Sequence, residues 1–296
     1  MSDHLRRPSL TLGASGLMLR GGPQLTRRVL DAAASNRFTR LDVAAVWGPL
    51  YGLAVGNLPV VVRIPADSHW HVGNSPPPPF EVAYPSGVVD RTLADVKAAG
   101  LDIDIALFHK WDPTWGGEQL AELLTDLTKR CAHSGVRFGV SCPDSHPNAA
   151  LSVASSITTV SLQYNVANQR AAAFGGTYAD SGCSVSVRAP LDTGSLLPGF
   201  LDRLSNGDVR RRVFTPFADA VNRCAAVVAQ IANECGESSV GVAIRWILRQ
   251  PWVDEICVGA TSVEQIEEIA AAWYSGPLPV WANQLLNSAD WSWRYQ

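Results

Sequence analysis

The sequence predicts an α/β protein built as a closed (β/α)8 TIM barrel. Three observations carry this. Short apolar runs alternate with helix-patterned segments, the runs number eight, and 296 residues of which 47% are hydrophobic supply the core for one such barrel. The expected organisation is a single domain over residues 1–296, with no linker and no internal repeat beyond the alternation itself.

The runs expected as strands are Leu17–Leu19, Leu41–Val43, Val60–Ile64, Ile103–Phe108, Phe138–Cys142, Val160–Tyr164, Val185–Val187 and Ile256–Val258. Between them lie helical patterns over Leu25–Ala34, Val88–Ala99, Leu120–Cys131, Phe217–Asn233 and Val240–Arg249. In the third of these, Leu120, Leu123, Leu124 and Leu127 read as one buried face. Three stretches break the rhythm. Asp67–Ser86 contains Pro76–Pro79 and reads as a loop. Leu191–Phe214, with Gly194, Pro198, Gly199 and Gly207, reads as a long connection of the kind that often serves function. The third, Gly276–Gln296, is rich in Pro and Trp.

Composition narrows the function classes. Net charge is −3 with no basic block, which disfavours nucleic acid as a partner. No apolar run approaches the ~20 residues of a membrane helix, so no membrane partner is expected. The segment Met1–Arg7 has no apolar core of a signal peptide. The six cysteines Cys131, Cys142, Cys183, Cys224, Cys235 and Cys257 are scattered without a CxxC pair, which reads as reduced thiols in a cytoplasmic protein. The ten tryptophans include Trp47, Trp70, Trp111, Trp115, Trp281, Trp291 and Trp293 in expected loops or near the C-terminus. They are either packing residues or the walls of an aromatic pocket.

In such barrels the active site forms at the C-terminal ends of the strands. Those ends carry Asp42, Arg63, His109, Ser141-Cys142, Gln163-Tyr164-Asn165, Arg188-Ala189-Pro190-Leu191 and Gly259-Ala260-Thr261-Ser262. The series resembles the aldo-keto reductase family over most of the chain. Leu41-Asp42-Val43-Ala44-Ala45-Val46-Trp47-Gly48 is similar to that family's "F-D-T-A-x-x-Y-G", and Phe138-Gly139-Val140-Ser141 to its "I-G-V-S-N". Pro190-Leu191-Asp192-Thr193-Gly194 is similar to its "S-P-L-x-x-G", and Val242–Leu248 followed by Val258-Gly259-Ala260 to its "A-L-x-W-x-L … P-G-A". Each piece is weak alone; their order and spacing carry the resemblance.

The resemblance implies NADPH-dependent reduction of aldehydes and ketones by an Asp, Tyr, Lys, His tetrad in which the tyrosine donates the proton. Asp42 and His109 match, but the tyrosine position is Trp47 and the lysine position is Arg63. An indole N–H is not an acid of that kind, and arginine stays charged at neutral pH. Tyr51, four residues on, is the alternative donor. The cofactor pattern has drifted as well. Ser141 and Gln163 match residues that hold the nicotinamide carboxamide, and Gly259, Ser262 and Gln265 match the adenine end. Arg188 stands where an aromatic residue stacks on nicotinamide, Cys142 where an asparagine stands, Thr261 where a basic residue meets the 2′-phosphate, and Ile269 where a further asparagine lies. NAD(P)H is therefore expected to bind weakly or not at all.

Several of these residues have plainer readings. Asp42 with Arg63 is also a structural ion pair, His69-Trp70-His71 with Asp67 is a solvated loop before it is a metal site, and Cys142 reads as a small buried hydrophobe rather than a nucleophile. No metal site is expected. The sequence favours an enzyme with a small-molecule substrate in which His109 is the acid–base group, Arg63 holds a substrate anion, Asp42 orients Arg63 and Trp47 lines the pocket. Such a set suits a redox-neutral step of specialised metabolism. The alternatives are an NAD(P)H-dependent reductase of an imine or activated double bond, and a non-catalytic binding protein.

Overall fold

A computed structural model describes residues 7–20, 22–44, 58–66 and 77–288. Eight parallel strands pair in chain order and β8 closes on β1. The strands are β1 Ser9–Gly13, β2 Phe38–Ala44, β3 Val60–Ile64, β4 Ile103–Phe108, β5 Arg137–Ser141, β6 Thr159–Gln163, β7 Ser184–Arg188 and β8 Glu255–Gly259. This is the (β/α)8 barrel the alternation predicts.

The first strand is the exception in placement. Leu17–Leu19 lies in α1, Ser15–Arg20, and the strand is the earlier Ser-Leu-Thr-Leu-Gly of β1. The reason is visible in most strands. Leu10 and Leu12, Leu41 and Val43, Val160 and Leu162, Val185 and Val187, and Ile256 and Val258 point outward into the main hydrophobic core beneath the helices. The intervening residues line the lumen, and most of them are polar: Thr11, Asp42, Arg63, Ser141, Ser161, Gln163, Ser186 and Glu255, all buried. Among the described residues, Val61, Ile105 and Leu107 form an apolar cluster there, separate from the main core. A strand with one apolar and one polar face reads as alternation rather than as an apolar run.

Helices cover the outer face. α2 Pro23–Ser35, α4 Val88–Ala98, α5 Glu118–His133, α8 Ala218–Cys235 and α9 Ser239–Ile247 match the patterned segments within a few residues. In α5 the buried residues are Leu124, Leu127 and Cys131, whereas Leu123 is exposed. The true stripe follows the 3.6-residue period through Cys131, and a fourth leucine next to it does not belong to it. α5 ends on Gly135, whose positive φ lets the Val136 N–H reach back to the Cys131 carbonyl at 3.0 Å. Four further helices lie where no helical pattern stood out: α3 Phe80–Ala83, α6 Ala172–Asp180, α10 Val263–Ser275 and α11 Val280–Ser288. The long connection after β7 contains α7 Val209–Phe214 and packs Phe200, Leu204 and Phe214 with Val221 of α8 in a small separate core.

Gly139 of β5 sits against the β6 backbone, where a Cβ would lie 1.8 Å from the Thr159 carbonyl oxygen. Gly139→Ala therefore forces β5 and β6 apart and is expected to cost about 3 kcal/mol. Urea unfolding of the two proteins checks this, and near-parental stability would show that the strands are not so closely seated.

Candidate active site

β2 and β3 pair with Ala44 beside Arg63, which brings the lumenal Asp42 and Arg63 together at the upper end of the barrel. Arg63 Nε donates to both Asp42 oxygens at 2.8 and 3.1 Å, and Nη2 donates to Oδ2 at 2.7 Å. Both residues are buried. Burial works against the Arg63 charge, but Asp42 outweighs it and holds the guanidinium firmly protonated. Arg63 also reaches across the lumen, with Nη1 donating to Ser141 Oγ at 3.1 Å and Nη2 to Ser161 Oγ at 3.4 Å. Cys257 of β8 donates its S–H to Asp42 at 3.6 Å, and burial pushes that thiol well up.

Arg188 ends β7 and folds back over the end of β6 toward β5. Its Nε donates to Ser141 Oγ at 3.4 Å, its Nη2 to the Cys142 carbonyl, and its Nη1 pairs with Asp144 at 2.8 Å. Ser141 thus accepts from two guanidinium groups. Gln163 is also engaged, donating from Nε2 to Asp192 Oδ1 at 3.2 Å. Asp192 is wholly buried and accepts from the Ser195 hydroxyl too. It lies on a strained turn in which Ala189, Asp192 and Thr193 all have positive φ. Such backbone persists only where surrounding contacts over-determine it. Here they do so through Gln163 and through the Asn165 side-chain amide on the Ala189 carbonyl, at 2.9 Å.

His109 follows β4, its N–H on the Ile64 carbonyl at 3.0 Å. The next peptide is clamped by Tyr84, whose hydroxyl donates to the Lys110 carbonyl at 2.7 Å and accepts from its N–H at 2.9 Å. The His109 ring meets solvent at the mouth but is crowded by protein atoms. That desolvation first, and the charges of Arg63 and Arg188 second, push its pKa down to about 4, against a smaller opposing pull from Asp42. The shift favours the neutral imidazole at pH 7, below the near-neutral titration that the sequence suggests. Trp111 and Trp115 are buried in a cluster with Phe80, Tyr84 and Phe108 and bond the Ala149 and Pro78 carbonyls, so these two tryptophans are packing residues.

At the end of β8, Gly259 is exposed beside Gly13. Ser262 caps α10, accepting from the Gln265 N–H at 3.3 Å, while Gln265 Oε1 accepts from the Thr261 N–H at 2.7 Å. Both side chains thus complete a helix start. Glu264 sits in that first turn with its carboxyl held below the usual range by the Ser262 hydroxyl and its own N–H. Ile269 is a core residue.

Trp47, Tyr51 and His69-Trp70-His71 lie outside the described residues. Cys142 is buried and its thiol is pushed up to about 11 by that burial, which suits a small hydrophobe. No cluster of potential metal ligands occurs among the described residues. Ser161, Asp144, Asp192 and Cys257 join the site without having stood out in the sequence. The available signal for Ser161 was its place two residues before Gln163 on one strand face; that for Asp192 was an Asp in a turn before Gly194.

Removing one partner of a buried pair leaves a bare charge, so Arg63→Met is expected to cost about 3–5 kcal/mol in a denaturation experiment. Adding Asp42→Leu should recover much of that loss, and a double variant as weak as the single one would contradict the argument. The His109 pKa has a second consequence. The unfolded chain takes up its proton near pH 6.5, the folded one only near 4. The histidine therefore has no effect on stability above pH 6.5 and destabilises the fold as pH falls from 6.5 to 4. Comparing the stability–pH curves of the parent and His109→Gln isolates this slope, and identical curves would refute it.

The aldo/keto reductase family model matches residues 57–287. No curated protein matches the chain in sequence. Among solved structures it is similar to the aldo-keto reductase AKR11C1 from Bacillus halodurans, in its holo form, with a TM-score of 0.66 and 17% identity, covering 97% of this chain and 95% of that one. It is also similar to the glycerol dehydrogenase AKR11B4 from Gluconobacter oxydans, with a TM-score of 0.72 and 17% identity, covering 97% and 91%. With the family match spanning most of its length, the chain belongs to the aldo/keto reductase family.

Proposed function

We propose that this protein is an enzyme that keeps the aldo/keto reductase barrel but catalyses a redox-neutral acid–base step, a dehydration, isomerisation, cyclisation or lyase reaction, on a small organic molecule. The observation that carries this reading is the engagement of Ser141 and Gln163. Of the residues that family resemblance assigns to the nicotinamide carboxamide, Ser141 accepts from Arg63 and Arg188, and Gln163 donates an amide N–H to Asp192. Arg188 adds a cation beside them, where oxidised nicotinamide would bring its own positive charge. At the other end, Thr261 offers a 2′-phosphate no charge and Glu264 places a carboxylate in the first turn of α10. The described residues fit NADPH poorly.

In the proposed chemistry the neutral His109 donates a hydrogen bond to an oxygen that gains negative charge, and takes or returns a proton once substrate charge offsets the arginines. Arg63, locked by Asp42, supplies a fixed positive charge to that oxygen from below. Trp47 is proposed to border the same space.

A second reading, NAD(P)H-dependent reduction of an imine or activated double bond, is favoured by family membership itself, by the solved neighbour named as a glycerol dehydrogenase, and by the matches at Gly259, Ser262 and Gln265. The two readings part on cofactor affinity. Losing one charge-assisted contact, about 1.5–3 kcal/mol, together with the ring stacking, puts the NADPH Kd in the high-micromolar range or weaker. Titration calorimetry with NADPH and NADH measures this directly. Sub-micromolar affinity would overturn the redox-neutral reading and install the reductase.

A further inference from the structure

Two arginines from opposite sides of the barrel meet at one buried hydroxyl. Ser141 is only 2% exposed. Its oxygen accepts from Arg63 Nη1 at 3.1 Å and from Arg188 Nε at 3.4 Å. A serine oxygen that receives two N–H groups still has its own proton to give, and no described residue accepts it. Asp42 takes only the Nε and Nη2 side of Arg63. Arg188, with a side chain 19% exposed, is fixed by Asp144 and the Cys142 carbonyl on its far side. Each Nη group of Arg188 makes one of these bonds and carries a second N–H, and the Nη1 group of Arg63 likewise has one hydrogen beyond its bond to Ser141. The two guanidinium groups are each held in place and meet at the Ser141 hydroxyl.

Among the described residues, the carboxylates near Ser141 have partners of their own, and Lys110 beside His109 adds a further positive charge. Glu255, deeper in the lumen, is taken by Arg40 and the Ser186 hydroxyl. Asp192 is turned to Gln163 and Ser195. His109 follows β4, and burial first, with the charges of Arg63 and Arg188 second, lowers its pKa against a smaller pull from Asp42. Each arginine has one carboxylate partner, Asp42 for Arg63 and Asp144 for Arg188, and what remains on the Ser141 side is N–H and O–H donors rather than acceptors. Planar guanidinium donors with a neighbouring hydroxyl match the two oxygens of a carboxylate.

We propose that Arg188, with Ser141 and Arg63, forms the seat for a substrate carboxylate, so that the substrate class is a small monocarboxylic acid whose reacting part lies toward His109. The naming of a substrate rests on the redox-neutral function proposed above; the anion seat does not. Arg188 is then an anion-binding residue at a position where the family resemblance implies a ring that stacks on nicotinamide.

The test uses the full chain and sodium benzoate as probe, with sodium phosphate in parallel at constant chloride and pH 7. Calorimetry should show benzoate binding that weakens at least tenfold in R188Q and less in R188K. The conservative variant also serves if R188Q does not fold. In parallel, NMR titration of the His109 ring should give a midpoint near 4 in the free protein. That midpoint should move upward with saturating benzoate in the parent and much less in R188Q, a ligand-dependent difference that a merely structural arginine would not cause. Equal benzoate affinity in parent and R188Q, or no binding to the folded parent, overturns the proposal. Phosphate binding tenfold tighter than benzoate overturns the carboxylate assignment. Arg188-dependent benzoate binding beside sub-micromolar NADPH affinity upholds the seat while removing the redox-neutral function.

Discussion

The polar lumen of this barrel hangs on one buried ion pair, Arg63 with Asp42. Filling a barrel with Ser, Thr, Gln, Asp, Glu and Arg is costly unless each group finds a partner. Arg63 is the group that reaches furthest: from β3 it meets Asp42 of β2, Ser141 of β5 and Ser161 of β6. A lysine there would offer one point of charge on a flexible stem; the guanidinium spreads its donors over three strands. The pair also sets the electrostatics of the mouth. Asp42 keeps Arg63 charged, and Arg63 in turn helps keep His109 neutral.

Arg188 extends the same network. It would repel Arg63 across Ser141 if it were bare, and Asp144 offsets that charge from the outer side. The strained turn from Ala189 to Gly194 places Asp192 beneath Gln163, so the amide is held from one side by a buried carboxylate. Ser141 with Arg188, and Gln163 with Asp192, thus form polar contacts at the ends of β5, β6 and β7. Such contacts are stiff when fully bonded. A stiff set of donors favours recognition of a ligand with fixed geometry over accommodation of a flexible one.

Around these contacts the structural framework is ordinary in its physics. Outward-facing Val, Leu and Ile of the strands meet helices whose buried stripes follow a 3.6-residue period. His109 owes its place to main-chain bonds, from Ile64 to its own N–H and from Tyr84 to Lys110. The aromatic cluster of Phe80, Tyr84, Phe108, Trp111 and Trp115 packs behind that turn and fixes it. A neutral imidazole at a rigid turn is a good hydrogen-bond donor and a poor acid until a ligand changes its field.

What the sequence alone determined is the barrel, most strand positions, and the identity of the residues at the strand ends. These depend on local pattern: apolar residues must recur with the period of a strand or helix, and that recurrence is readable. β1 escaped because a polar lumen turns its strand into a five-residue alternation, which is too short to stand out beside the apolar Leu17–Leu19. α10 and α11 escaped for a related reason, since Trp and Pro near them obscure the helical stripe. The tertiary structure decided everything that depends on distance across the lumen. It decided that Ser141 and Gln163 are taken by side chains far away in sequence, that Ser262 and Gln265 cap a helix, and that His109 is neutral. A residue type and its position in the chain specify what a group can donate or accept. Which partner lies within 3 Å, and how much water remains beside it, emerges only when eight strands close on one another.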